Sequence, residues 1–234
     1  MANFERKKLC LEKEELCSAI WGGVDTSNYV LYFPFQKSIK DYFDQTSSST
    51  SEEYESGHIG YGLSHGTGMV SILPYTNLRE YFKSAGDFSI DFWFLCDGSY
   101  YEEDSNFDIM IVSDSTAVFR ILKEPLGSAN YISLYDHNGY ICNGFSLSNV
   151  LDGKFHHIAL QLLKEQQSLR MFRDGIFYYE EPNVSFESYN RAVDTINFYI
   201  DSDEGISICI DEFRIMDGIN FSEEFDPNGI IYPG

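Results

Sequence analysis

Basic residues are scarce in this chain. Sixteen Lys and Arg stand against 37 Asp and Glu in 234 residues, a formal net charge of −21. A surface of that sign repels phosphate backbones and anionic headgroups, so nucleic acid is excluded as a partner and binding to an anionic membrane surface is not expected. Long apolar runs are missing as well. The longest, Tyr29 to Phe35, falls far below the ~20 residues that cross a bilayer as a helix, so no membrane insertion is expected. There is no C-x-x-C pair. The five cysteines, at positions 10, 17, 96, 142 and 209, are odd in number and widely spaced. That spacing gives no clustered zinc ligands and favours reduced, mostly buried thiols. A secretory pattern is also lacking at the start, where E-R-K-K at Glu5–Lys8 and E-K-E-E at Glu12–Glu15 interrupt any apolar stretch. The expectation is synthesis and folding in a cytoplasm.

What is abundant is aromatic. Seventeen Tyr and 19 Phe bring the aromatics to 16%, a composition suited to pleated, half-buried surfaces. The first 20 residues differ from the rest: they balance four acids with four bases and contain neither Gly nor Pro. Leu9, Leu16 and Ile20 align at helical spacing beside Cys10 and Cys17, while Phe4 and Leu11 fall on another side. Trp21-Gly22-Gly23 supplies the stop. This predicts a helical segment over 1–27, with Phe4, Leu9, Leu11, Leu16 and Ile20 docking on a neighbouring subunit or on the chain's own domain.

From Tyr29 onward the pattern is β. Phe88, Ile90, Phe92 and Phe94 alternate with Ser89, Asp91 and Trp93. Tyr131–Tyr135 and Tyr140–Leu147 flank Asp136-His137-Asn138-Gly139, whose Asn-Gly supplies the positive φ angles of a tight hairpin. His157–Lys164, Leu169–Arg173 and Ile176–Glu180 read as a meander turning at Asp174-Gly175. Thr195–Ile200 and Ile206–Ile215 are expected to pair across the acidic loop 201–205, and the Ser- and Thr-rich stretch Gln45–Gly57 reads as a loop. The fold predicted for 28–234 is all-β, an antiparallel sandwich or barrel. Its length suits a jelly roll better than an immunoglobulin-type domain.

Three stretches carry a resemblance. They are Gly86-Asp87-Phe88-Ser89-Ile90-Asp91-Phe92-Trp93-Phe94; Asp152-Gly153-Lys154-Phe155-His156-His157-Ile158-Ala159-Leu160, continued by Leu169 to Gly175; and Ile210-Asp211-Glu212-Phe213-Arg214-Ile215, followed by Phe221 to Pro227. In that order they resemble the laminin G-like, pentraxin-like branch of the concanavalin A-like lectin/glucanase superfamily. The resemblance implies a β-sandwich over about Tyr29 to Tyr232, with recognition at its rim.

In the residues themselves these stretches read as scaffold. The aromatics of Asp91–Phe94 are expected to pack between sheets. His156 and His157 point to opposite faces of a strand and cannot converge on one ion, so one ring nitrogen is expected to be hydrogen-bonded inside. Asp211–Arg214 reads as a strand end at which Arg214 is expected to meet a carboxylate. Hydrolysis fails on its motif: the nearest approach to the paired-carboxylate strand of the fold's glucanases, Glu102 to Phe107, ends in Phe and sits in a polar stretch. No nucleophile setting is present either, so no catalytic residue is assigned and no enzyme is expected.

Two aromatic-acidic sets suit a sugar: Tyr100 and Tyr101 with Glu102 and Asp104, and Tyr178 with Tyr179 beside Glu180 and Glu181. Calcium, which the resembling domains often bind, has candidate ligands in Asp201, Asp203 and Glu204; the competing reading is a solvated hairpin tip. The resemblance and the missing export signal together imply a bacteriophage virion surface protein, either capsid decoration or tail component. Its partners would be other virion proteins through the N-terminal segment and a host-surface glycan, with a homo-oligomer as one assembly. The alternative is a carbohydrate-binding adhesin of a bacterial cell surface.

Overall fold

In a computed structural model of the chain, residues 29–33, 46–49, 54–64, 69–74, 81, 86–96, 106–113, 116–126, 129–136, 139–146, 150, 152–184, 195–201, 208–218, 221 and 224–229 are described. Their strands, in chain order, are β1 (Tyr29–Phe33), β2 (Thr46–Ser49), β3 (Tyr54–Ser56), β4 (Tyr61–Leu63), β5 (Met69–Pro74), β6 (Phe88–Cys96), β7 (Asn106–Ser113) and β8 (Thr116–Leu126). They continue with β9 (Ala129–Asp136), β10 (Gly139–Ser146), β11 (Phe155–Leu163), β12 (Ser168–Arg173), β13 (Ile176–Pro182), β14 (Thr195–Asp201) and β15 (Ile208–Asp217). Every pairing is antiparallel.

The strands form two sheets. One runs β13-β12-β11-β6-β15-β4-β3, with β1 sharing the second edge of β15 beside β4; the other runs β10-β9-β8-β7-β14-β5-β2. Alternation decides what lies between them. Phe88, Ile90, Phe92 and Phe94 of β6, Ile158, Leu160 and Leu162 of β11, and Leu31 and Phe33 of β1 join Ile109, Ile121, Ile196 and Phe198 of the other sheet in one buried cluster. Phe198 stands edge-on to Phe213 with ring centroids 5.0 Å apart, which ties β14 to β15 across the sandwich. The architecture is the antiparallel β-sandwich that the sequence predicts.

Four expectations change. Trp93 does not pack between the sheets with Phe92 and Phe94. It points to the outer face of its sheet and is stacked there by His58 at 3.6 Å, because neighbours on a strand alternate. Thr195–Ile200 and Ile206–Ile215 do not pair with each other. β14 lies between β7 and β5, and β15 beside β6 in the opposite sheet, so the two strands form no hairpin. The stretch Gln45–Gly57 holds β2 and β3. Asp211–Arg214 lies within β15 and does not end a strand. The helical segment 1–27 lies outside the described residues, as do its docking residues.

The outer face of the first sheet is buried too, which is unusual for a two-layer sandwich with water on both outer faces. Ala159, Phe172 and Met216 form a second apolar cluster with Phe221, and Phe225 packs against it. These last two rings belong to a C-terminal strap, residues 221 and 224–229, and stack at 4.6 Å. The strap is fixed at the β12–β13 turn, where Phe225 N–H donates to Gly175 O at 2.9 Å. Gly175 has φ +78°, and a Cβ there would stand 1.7 Å from Phe225 O. Gly175→Ala is therefore expected to dislodge the strap, costing more than the about 1–2 kcal/mol of a left-handed alanine alone. Thermal melting, with limited proteolysis after residue 220, checks this; a variant as stable and protease-resistant as the parent contradicts it.

Candidate functional site

Two places concentrate polar chemistry. The first lies under the strap. Asp91 of β6, His157 of β11, Arg214, Asp211 and Glu212 of β15, and Tyr32 of β1 are all buried. Arg214 engages Asp91 through both Nε (2.8 Å to Oδ1) and Nη2, and His157 Nε2 lies 2.9 Å from Asp91 Oδ2. A slip in register makes this possible. Asp211 pairs with Trp93, yet Arg214 pairs with Asp91, so Glu212 and Phe213 share one partner position. That bulge returns Phe213 to the core and turns Arg214 outward, where strict alternation would have driven the guanidinium between the sheets. Its backbone cost falls on Glu212, at φ 53°.

Burial alone would raise the Asp91 carboxyl. The Arg214 charge and the His157 hydrogen bond outweigh it and hold Asp91 below the usual range. Its neighbours go the other way. Burial pushes Asp211 up to about 7, against hydrogen bonds from the Ile59, Glu212 and His58 backbone. Burial and the Asp211 charge push Glu212 up to about 8, although it accepts the Tyr32 hydroxyl. An Asp–His pair invites an acid–base reading, but both side chains are sealed beneath the strap and the His58–Trp93 stack. The buried bonds run between strands, so the group works as an electrostatic rivet across β1, β6, β11 and β15.

His156 takes the opposite side, as strand alternation requires. Its Nδ1 lies 2.8 Å from Asp174 Oδ2 and its Nε2 3.1 Å from Asp152 Oδ1. The Asp174 bond, aided by Asp152, raises the imidazole above its ordinary value. The two carboxylates sit on opposite ring nitrogens and cannot share an ion with this histidine. Among the described residues, no group of three or more metal-ligating side chains is placed to hold a metal.

The second place is the edge strand β13. Ile176, Phe177, Tyr178 and Tyr179 are 58%, 47%, 40% and 39% exposed, four large apolar side chains in a row. Edge strands are ordinarily blunted by charge, and exposed apolar patches mark interaction surfaces. A second bulge organises them. Met171 pairs with Tyr179 but Phe172 with Phe177, which leaves Tyr178 as the extra residue. Phe177 turns with Phe172 toward the strap, their rings 5.8 Å apart. Tyr179 shares the side of Met171, which faces the core. The Arg173 guanidinium lies 5.1 Å from the Tyr178 ring centroid and holds that ring on the same side. Both tyrosines thus face one way, on the strand that comes closest to β10 of the other sheet. The Tyr179 hydroxyl donates to Glu181 Oε2 at 2.7 Å.

Of the residues expected from sequence to carry function, Tyr178 and Tyr179 are brought together here. Asp201 closes β14. Asp203, Glu204, Tyr100, Tyr101, Glu102 and Asp104 lie outside the described residues. Ile176, Phe177 and the positioning Arg173 were not expected; the unbroken apolar run at a strand edge was their one visible signal.

Taken together, these features define an antiparallel β-sandwich with, among the described residues, an exposed aromatic run on the edge strand β13. No family model and no curated protein matches the chain. Solved structures do match in fold. The binding domain of botulinum neurotoxin serotype D aligns with TM-score 0.62 at 14% identity, covering 87% of this chain and 50% of that one. The binding domain of Paraclostridial Mosquitocidal Protein 1 aligns with TM-score 0.60 at 16% identity, covering 84% and 51%. Domain 4 of AbnA, an extracellular GH43 arabinanase from Geobacillus stearothermophilus solved with arabinotriose, aligns with TM-score 0.55 at 14% identity, covering 82% and 93%. The chain spans about half the length of the toxin binding domains it matches. At these identities the likeness is one of fold.

Proposed function

We propose that this chain is a non-enzymatic recognition module of an extracellular or surface-displayed assembly, and that it holds a glycan on the β13 edge. The observation that carries this is the exposed Ile176–Tyr179 run, with two tyrosines turned to one side by a bulge. Tyrosine offers a ring face to the C–H face of a sugar and a hydroxyl to its polar rim, and Glu181 stands beside them as acceptor. The matched structures support the reading at the level of kind. Two are described as binding domains, and the third is a domain of an enzyme solved with a sugar.

Glycan-array binding of the parent chain tests this, with Tyr178→Ala and Tyr179→Ala as variants. Each truncation is expected to weaken binding by roughly tenfold or more, since stacking rings at a binding centre dominate its energy, while melting temperature stays within a few degrees. Unchanged binding in both variants overturns the assignment of the edge.

The finer placement is the outside of a virion, with 1–27 fastening the module to neighbouring subunits or to further copies of the chain. Its support is the resemblance of the three sequence stretches and the charge of −21, which suits an exterior kept away from packaged DNA. Immunogold labelling of purified particles tests that placement. Absence from them would leave the bacterial surface adhesin.

A further inference from the structure

The chemistry of the β13 platform also selects among glycans, and this inference rests on the binding reading above. Its hydrogen-bonding group beside the rings is Glu181, a carboxylate that accepts and does not donate. Oriented by the Tyr179 hydroxyl, it keeps lone pairs for a pair of sugar hydroxyls. The cations nearby are engaged elsewhere. Arg170 Nε donates to Glu180 at 3.0 Å, and Arg170 pairs across the strands with Glu180, one step from the Met171–Tyr179 pair. That places both on the opposite side of the sheet from Tyr179. Arg173 lies against the Tyr178 ring, its Nη1 is buried without a hydrogen-bond partner, and its charge acts on Asp174. Neither guanidinium therefore offers the open two-pronged face that binds a carboxylate or sulfate. On the platform's side stand Glu181 and, at the turn that opens β13, Asp174. The chain as a whole carries −21.

We infer that the β13 edge takes a neutral oligosaccharide, stacked on Tyr178 and Tyr179 with a vicinal hydroxyl pair on Glu181, and rejects uronic, sialylated and sulfated chains. Acceptor-only chemistry beside an aromatic ring rewards hydroxyl donors, and the same carboxylates repel an anionic sugar. Discrimination thus comes from a repulsive element as much as from an attractive one.

The test uses the full chain and an array of matched neutral and acidic oligosaccharides, arabinotriose, cellotetraose and tri-galacturonate among them, followed by calorimetry at low and high salt. The expected result is binding confined to neutral chains and nearly independent of salt. Glu181→Ala weakens it by roughly tenfold or more, as loss of a charged hydrogen-bond partner does. Glu181→Lys, checked for an unchanged melting temperature, loses the neutral ligand and narrows the gap to acidic chains. If acidic chains bind the parent better than their neutral partners and lose that binding in Tyr178→Ala, the proposed ligand class is wrong while the platform stands. If no glycan of either class binds, or binding ignores Tyr178→Ala, the binding reading itself fails.

Discussion

Replacing Asp91 with alanine is expected to lower the unfolding free energy by roughly 3–5 kcal/mol, the cost of stranding one partner of a buried ion pair. Asp91 receives two guanidinium bonds from Arg214 and one contact from His157, with all three side chains sealed. Removing the carboxylate takes away the acceptor of two buried guanidinium bonds and of the His157 contact. Asp91→Asn keeps the shape and an acceptor oxygen but loses the charge, so it should fall between parent and alanine. Urea denaturation reads both, with Gln166→Ala in the exposed turn after β11 as a control expected to stay within ~0.5 kcal/mol. A cost below ~1 kcal/mol for Asp91→Ala would mean that the cluster does not hold the sheet together.

The second large effect is on pH. Asp211 and Glu212 bind protons more tightly folded than unfolded, with values of about 7 and about 8 against ordinary values of 3.8 and 4.5. Their stabilising contribution is complete below the ordinary values and is lost as pH rises through the folded ones. Asp91 and Asp174 are held low, so theirs is present above the ordinary value and is lost as pH falls through the folded one. Stability is therefore expected to peak near about pH 4 and to fall toward about pH 8 by on the order of a few kcal/mol, each tenfold change in proton affinity being about 1.4 kcal/mol. Self-repulsion of the acidic surface acts in the same direction. The double variant Asp211→Asn/Glu212→Gln separates the two causes, because it barely alters net charge yet should flatten most of the alkaline fall. Urea midpoints at pH 5 and pH 8.5 give the answer, and a parent chain equally stable at both contradicts the buried-carboxyl account.

The sandwich was legible because most strands keep an unbroken period of two. Phe88, Ile90, Phe92 and Phe94 face the core as their spacing indicates, and Asp174-Gly175 turns the chain where that dipeptide predicts. Arg214 meets a carboxylate and His157 finds an internal partner, as expected. What the sequence hid depends on which sheet a strand joins and on where the period slips. Ile206–Ile215 is apolar enough to pair with β14, yet it lies beside β6, a long-range choice that no local pattern encodes. The two bulges are the sharper case. Alternation would send Tyr178 and Tyr179 to opposite faces and Arg214 into the core, and one extra residue at each point reverses this. The buried outer face was equally hidden. A polar set such as Ser89, Asp91 and His157 reads as a solvated face until Phe221 and Phe225 are seen lying across it.

The most direct measurement is a two-dimensional NMR titration of the labelled chain with a neutral oligosaccharide retained from the array, following the sugar's anomeric protons in the same tube. The account predicts that the ring signals of Tyr178 and Tyr179 and the amides of β12 and β13 move together, that β6 and β15 stay still, and that the sugar remains intact. Shifts centred on Asp91, His157 and Arg214, or new reducing-end signals appearing with time, would contradict it.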